Sequence, residues 1–233
     1  MKQTQITNKE IFVIVPAYNE GKVVGQTVKP LIKMGYTVVV IDDGSSDDTK
    51  KNLESLSLYY LRHPVNLGQG AALQTGMNYA LRKGAKVVVH FDSDGQHKAE
   101  DIARLVQPIL NSEADVVLGS RFLRAEDTAL VPPTRRIFLK AAVLVNALLT
   151  GVWLSDAHNG FRVLSAQAAA KVELRENGFA HASEIVQQIR EQKLRWVECP
   201  VSICYSAYSL AKGQPWWNAL NIVMDLLLRR MFR

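Results

Sequence analysis

Five short runs dominated by Val, Ile and Leu recur through the first half of the chain, at residues 11–15, 37–42, 58–62, 86–92 and 115–119. Most are apolar along their whole length rather than at every second position. Strands of that kind are buried on both faces. Between them lie helix-length segments at 20–34, 46–56, 69–82 and 100–110, joined by short connections. Strands alternating with helices at this spacing predict an α/β domain whose mostly parallel sheet carries helices on both faces. Ligands of such sheets sit beyond the carboxyl ends of the strands. Function is therefore sought in the strand-to-helix loops.

Those loops are polar and specific. After the first run comes Pro16-Ala17-Tyr18-Asn19-Glu20, and after the second Asp42-Asp43-Gly44-Ser45-Ser46-Asp47-Asp48-Thr49. The fourth run ends in Asp92-Ser93-Asp94-Gly95-Gln96-His97, and the fifth in Ser120-Arg121-Phe122. On an extended backbone positions i and i+2 point the same way, so Asp92 and Asp94 converge. Two carboxylates at the end of a buried strand repel unless a cation lies between them. A hard divalent ion that also carries substrate phosphates meets that need. A plain acidic turn with Gly95 at its corner is the other reading of the same residues. Ser46 with Asp48 has the chemistry of a helix N-terminus. A lone Arg121 at a strand end points to an anion facing the carboxylate pair. Gly68-Gln69-Gly70 follows the third run, not the first, and Leu73 stands where a dinucleotide fingerprint needs its third small residue, so it is a tight turn into a helix.

At 233 residues the chain suits one large domain, or a domain with a small appendage. Its 28 basic and 22 acidic residues leave a net charge of +6, a tilt suited to phosphorylated ligands or an anionic surface. No stripe of interleaved basic and aromatic residues is present, which argues against nucleic acid. Cys199 and Cys204 are spaced to face apart on a strand, so no disulfide between them is expected. The first ten residues lack the apolar core of a secretory signal.

Two segments bear on a membrane. Residues 137–154 approach the ~20 residues of a bilayer span, but Lys140 and Asn146 near the middle argue against crossing. Arg135 and Arg136 precede them, placed to meet lipid headgroups or a phosphate. In residues 216–233, Asn218, Asn221, Asp225, Arg229 and Arg233 gather on one helical face, and Trp216, Leu220, Val223, Leu227 and Met231 on the other. That pattern fits a helix lying in a membrane interface; a core-packing or oligomer-forming helix is the alternative. A domain over residues 1–212, with a membrane-facing helix near 136–154, and an interfacial helix over 213–233 are expected.

Taken together, the loop motifs resemble the family 2 glycosyltransferases, and within them the dolichyl- or polyprenyl-phosphate sugar synthases. Asp156-Ala157-His158-Asn159-Gly160-Phe161-Arg162, Ser183-Glu184 and Tyr208-Ser209-Leu210-Ala211-Lys212-Gly213-Gln214 extend the likeness over nearly the whole chain. The resemblance implies a GT-A fold, a UDP- or GDP-linked hexose donor, a Mg²⁺ or Mn²⁺ cofactor and an inverting transfer to a polyprenyl or dolichyl phosphate. It implies that Pro16, Tyr18, Glu20, Ile41 and Asp43 border the nucleoside, with Ser93 against the donor. Asp92, Asp94 and Gln96 would hold the metal, Arg121 would meet phosphate, and Lys212 matches the lysine of the C-terminal motif. Arg121, Arg135 and Arg136 are the candidates for the acceptor phosphate. The chain departs from the mannose synthases at Ser206, where they commonly carry arginine, which favours the bacterial-type branch. Asp94, Arg121 and Asp156 are the candidate catalytic residues.

A phosphate acceptor has its second pKa at about 6 and is already nucleophilic near neutrality. Asp156 then either acts as a base or orients the acceptor or a loop; a glycan or soluble hydroxyl acceptor would require the base. Glu184 is divided in the same way between the site and the solvent face of a helix. An inactive scaffold that binds a nucleotide sugar is the reading from outside enzymology. The implied setting is the cytoplasmic face of a membrane, held peripherally, with self-association open.

Overall fold

The computed structural model describes residues 6–205 apart from His158 and Phe179, and apart from the side chains of Thr134 and Arg135. The expected tail helix, Lys212 and Ser206 lie outside the described residues.

Seven strands form one sheet in the order β3-β2-β1-β4-β6-β5-β7. They are β1 Ile11–Ala17, β2 Thr37–Asp42, β3 Tyr59–Arg62, β4 Val87–His90, β5 Val116–Ser120, β6 Arg162–Ser165 and β7 Trp196–Pro200. β1 runs parallel to β2 and β4, β2 to β3, and β5 to β7. β6 is antiparallel to both of its neighbours, β4 and β5. The sheet is thus mostly parallel, with one reversed strand wedged into its middle. Because β6 runs backwards, it begins where β4 and β5 end. The backbone entering it passes through the functional rim.

The apolar runs explain the layers. Alternate residues of β1 and β4 divide between two cores: Val13, Val15, Val87 and Val89 on one face, Phe12, Ile14 and Val88 on the other. Helices α1 (Val24–Lys33) and α3 (Asp101–Leu110) cover the first face with Leu31, Ile102 and Leu105. The second face receives α2 (Gln69–Arg82), α6 (Ala166–Lys171) and α7 (His181–Glu191), through Leu73, Met77, Ala169, Ile185 and Ile189. Burial of a Val, Leu or Ile side chain contributes about 1.5–3 kcal/mol, so these paired faces supply most of the driving force. At Gly76 the close packing of α2 on β1 leaves no room for a side chain, since a Cβ there would lie 2.3 Å from Ile14 Cγ2.

Outside this sandwich run α4 (Ala125–Leu130) and α5 (Pro133–Thr150), with α5 ending at Gly151 in a left-handed conformation of φ 69°. Ile137, Phe138, Leu144 and Leu148 of α5 are exposed. Residues 137, 144 and 148 fall within a 40° arc at ~100° per residue, forming a single apolar stripe. Lys140, 60° from its centre at that pitch, is exposed beside it. α5 contains no acidic residue. Among the described residues no helix is long and apolar enough to cross a membrane.

Several expected bounds are corrected. The first helix begins at Val24 rather than residue 20, because the N–H groups of residues 19–21 are drawn into hydrogen bonds with the next loop. The helix expected over 46–56 does not form, and Lys51–Leu53 makes one 3-10 turn instead. Asp47 is committed to the Gly21 N–H at 2.9 Å and to Thr49, and the Ser46 N–H donates to Asn19 Oδ1 at 2.9 Å, so neither caps a helix. The helix expected to end at 154 ends at Thr150, where Gly151 reverses the chain. Cys199 and Cys204 are both free thiols.

Candidate active site

The carboxyl ends of β1, β2 and β4 and the start of β6 build one rim. Its first layer is scaffolding. The Asn19 N–H donates to Ser45 Oγ at 2.9 Å and the Glu20 N–H to Thr49 Oγ1 at 3.0 Å, tying the loop after β1 to the loop after β2. Asn19 takes a left-handed φ of 53° to make this turn, a conformation asparagine tolerates better than most. Tyr18 is left 45% exposed at the rim while Glu20 is buried.

Asp42 and Asp43 serve the same scaffold. Asp42 is fully buried and accepts from Tyr60 Oη and, at 2.8 Å, from the Ser45 N–H. Burial and the Asp42 charge push the Tyr60 phenol well above its ordinary pKa. Asp43 accepts from His63 Nδ1 at 2.7 Å and from the N–H groups of Leu67 and Gly68 at 2.9 and 2.7 Å. Both of its oxygens hold the loop that opens α2. Gly68, at φ 102°, is pressed so closely by the carbonyl of Asn177 that a Cβ would stand 2.2 Å from it. Ile41 lies wholly inside the second core, and β1 is buried through Pro16.

The Asp92–Asp94 pair follows β4. Gln69 Nε2, from the first residue of α2, donates to Asp92 Oδ1 at 3.0 Å, and His97 Nε2 donates to Asp92 Oδ2 at 3.0 Å. The His97 ring is wedged between Phe91 and Phe161, with centroids at 5.4 and 4.8 Å. Behind the carboxylate, a Cβ on Gly160 would lie 2.3 Å from Asp92 Oδ2, so only glycine fits without displacing it. Burial works against the Asp92 charge, yet the His97 hydrogen bond and the electrostatic pull of the neighbouring His97, Arg162 and His181 hold its carboxyl below the usual range. Asp94 behaves oppositely. Burial and the neighbouring Asp92 push its carboxyl up, and Glu20 adds to the push against the Gln96 N–H and His97. The Gln96 side chain donates to Asp94 Oδ2 at 2.7 Å and its N–H to Oδ1 at 3.0 Å. Ser93 is buried, its carbonyl accepting from Thr27 Oγ1 at 3.1 Å. Negative potential from Asp92 and Glu20 therefore converges on Asp94, as expected of a site completed by a cation.

At the end of β5, Arg121 is buried and forms a two-pronged pair with Asp156. Nε and Nη2 lie 2.6 Å from the two carboxylate oxygens, and the Arg121 N–H adds a third contact at 3.1 Å. Burial alone would favour neutral guanidine, but the Asp156 charge and hydrogen bonds, with Tyr205 beyond them, raise the Arg121 pKa. Arg136 donates to the carbonyl of Thr128 at 2.7 Å and so fastens α5 to the end of α4. Arg135 lies in the first turns of α5.

Three charged or titratable groups stand out in the structure but not in the sequence. Arg162 opens β6 opposite His90 on β4, and both are buried. Burial, reinforced by Arg162 and His181, pushes His90 down to about 3, so it is neutral at pH 7. Burial brings Arg162 to about 10 against the pull of Asp92 and Asp156, leaving a buried cation between the two halves of the rim. Glu198 of β7 is the third, bonded to Ser155. A charged residue within a short apolar strand carries no signal of its inward direction. Glu184, conversely, accepts the N–H groups of Arg175 and Glu176 at 3.1 and 3.0 Å, bracing the loop that packs on α2. Among the described residues no group of three or more His, Cys, Asp or Glu side chains is arranged to hold a metal ion by itself.

A GT-A-type fold is the class this mixed sheet defines. A crystal structure of glucosyl-3-phosphoglycerate synthase from Mycobacterium tuberculosis, in complex with Mn²⁺, UDP and glucosyl-3-phosphoglycerate, superposes with a TM-score of 0.67. That alignment covers 94% of this chain and 79% of the other at 21% identity, a likeness of fold. The sequence model of glycosyl transferase family 2 matches residues 12–172, and the chain belongs to that family. An uncharacterized protein of Methanocaldococcus jannaschii is 33% identical over 98% of this chain and 95% of its own length. A UDP-N-acetylglucosamine–dolichyl-phosphate N-acetylglucosaminyltransferase of Methanococcus voltae is 31% identical over 97% of this chain and 98% of its own. The chain is thus a glycosyltransferase by family, fold and relatives.

Proposed function

We propose that this enzyme moves a hexose-type sugar from a nucleoside-diphosphate donor to the phosphate of a polyprenyl or dolichyl lipid, at a membrane surface, with inversion at the anomeric carbon. One observation carries the reading. Asp156 holds the arginine of the acceptor side, and Gly160, four positions on, lies against the donor-side carboxylate, so both half-sites share one rim. The exposed apolar stripe of α5, flanked by Lys140, supplies a surface for the lipid, and its freedom from acidic residues suits the anionic headgroups of a cytoplasmic leaflet. The full-length similarity to the Methanococcus voltae enzyme, whose name specifies a UDP-sugar and dolichyl phosphate, supports a UDP-linked donor over a GDP-linked one.

Tyr18 and Glu20 border the nucleoside in this scheme, with Pro16, Ile41 and Asp43 forming the floor beneath. The oxygens of Asp94, Asp92 and the Gln96 amide are of the hard type that would hold Mg²⁺ or Mn²⁺ together with the donor phosphates. When bound, such an ion neutralises charge that builds on the departing nucleoside diphosphate. Asp92, fixed by Gln69, His97 and Gly160, sets the direction of the pair. Arg121, kept charged by Asp156, attracts and orients the acceptor phosphate, assisted by Arg135 and Arg136. Asp156 is assigned to orienting Arg121 rather than to proton transfer, since both its oxygens are already bonded to a guanidinium. A phosphate nucleophile needs no such base.

The test is release of nucleoside diphosphate from UDP- and GDP-sugars, with and without vesicles containing undecaprenyl phosphate. Release that depends on lipid phosphate and stops with EDTA is expected. Turnover with a soluble hydroxyl acceptor and none with the lipid would overturn the proposal.

A further inference from the structure

Glu198 lies on β7 with its Cα opposite Leu118 of β5, near the foot of the loop that carries Arg121. Its carboxylate is the end point of a directed hydrogen-bond chain. Oε1 accepts the Ser155 N–H at 2.9 Å, the Ser155 hydroxyl at 2.7 Å and the Asp156 N–H at 3.4 Å. Oε2 shares the Ser155 N–H at 3.0 Å. A carboxylate only accepts, so the Ser155 hydroxyl hydrogen is committed to Glu198. The Ser120 hydroxyl, 2.6 Å from Ser155 Oγ, must then donate to Ser155. The oxygen of Ser120 in turn accepts the Phe122 N–H at 3.1 Å. Residues on both sides of Arg121 are therefore tied to Glu198 through Ser155. Asp156, which holds the guanidinium, is tied to the same carboxylate through its own N–H.

We propose that Glu198 is a positioning residue that sets Arg121 for the acceptor phosphate. The proposal rests on the acceptor role given to Arg121 above. Glu198→Gln keeps the volume but replaces one oxygen by an NH2 group that must face either the Ser155 N–H or the Ser155 hydroxyl, so the end of the chain cannot keep all its acceptor contacts and has to shift. A displacement on the order of 1 Å in a group that orients a reactant can cost up to about 100-fold. For a shift passed through two links the expected rise in KM for polyprenyl phosphate is about tenfold, with KM for the donor sugar within about twofold of wild type.

The decisive experiment is a cycle in the full-length enzyme with Arg121→Lys, Glu198→Gln and the double variant, measuring both KM values and slow donor hydrolysis by water. Retained donor hydrolysis in Glu198→Gln shows that the fold and donor site are intact. The proposal expects the double variant to match Arg121→Lys alone in acceptor KM. Additive losses, or equal losses for donor and acceptor, overturn it. Should Glu198→Gln fail to fold, Ser155→Ala cuts the same chain, and an unchanged acceptor KM there overturns the proposal equally. If Arg121→Lys itself leaves acceptor KM unchanged, the acceptor role of Arg121 fails first. If only Arg121→Lys has an effect, that role stands and the role of Glu198 falls.

Discussion

The two halves of the rim are built by different physics. On the donor side, around β1, β2 and β4, nearly every loop group is bonded to another loop, and the carboxylates of Asp42, Asp43 and Asp92 are each held by two or more donors. The proposed acceptor side centres on a buried ion pair, Arg121–Asp156, tied to Glu198 through Ser155, next to a helix that turns its apolar stripe outward. The first half is pre-formed for a small, highly charged ligand. The second sets polar chemistry against a hydrophobic exterior, the pairing that the proposed acceptor, with its charged head and long apolar tail, requires.

That contrast can be broken in several places. Asp94→Asn removes the carboxyl on which the negative potential of Asp92 and Glu20 converges; turnover should fall by at least about 1,000-fold, and Mn²⁺ affinity measured by calorimetry should fall with it, while the melting temperature holds or rises. Near-normal turnover would detach the carboxylate pair from catalysis. Asp156→Asn should act chiefly on stability. Leaving the Arg121 guanidinium buried without its counter-ion costs about 3–5 kcal/mol, read as a lower denaturant midpoint. A cost below about 1 kcal/mol would show that the acceptor half does not depend on this pair.

Gly160→Ala sharpens the comparison, because the new Cβ would push on Asp92 from the segment that also serves the acceptor side. A fall in kcat of about 100-fold with a nearly unchanged melting temperature is expected. Leu148→Glu tests the exterior: vesicle flotation should weaken by about tenfold, whereas donor hydrolysis and solution stability, within about 0.5 kcal/mol, should not change. Unaltered flotation would move the lipid contact off this stripe.

The smallest effect concerns Asp127 of α4, which accepts from Arg124 Nε at 2.5 Å and Ser202 Oγ at 2.6 Å. Burial raises its pKa, but those two hydrogen bonds and the Arg124 charge win, holding the carboxyl below its ordinary value. A group with a depressed folded pKa contributes stability above its unfolded pKa and loses it as pH falls through the folded one. Asp127→Asn should therefore cost about 1 kcal/mol at pH 7, and the gap to wild type should close below about pH 4. A gap that widens in acid would contradict the assignment.

What could be seen in advance followed the apolar signal. The runs that became β1, β2 and β4, buried on both faces, were legible, and with them the loops at their ends and the Asp92–Asp94 pair. α2, opened by Gly68, was placed to the residue. β6 and β7 carry no clear strand signal in the sequence, because one begins with Arg162 and the other contains Glu198 and ends in Pro200, features that read as surface or turn. The helix expected over 46–56 failed because Ser46 and Asp47 have better partners in the loop after β1 than in a helix of their own. That competition is long-range and leaves no mark on local propensity. Likewise, Asp156 and Arg121 stand 35 positions apart, and nothing in their spacing announces a pair.

The reversed strand β6 has one further consequence. Its approach, residues 151–161, leaves the end of α5, passes Ser155 and Asp156 beside the acceptor arginine, and meets Asp92 at Gly160 within a single short length of chain. A residue added or lost between Ser155 and Gly160 would move both half-sites at once. In the proposed scheme, changes of sugar preference fall in the loops after β1 and β2, and changes of lipid preference along α5. This passage has to keep its length through all of them, like the fixed link between two adjustable jaws.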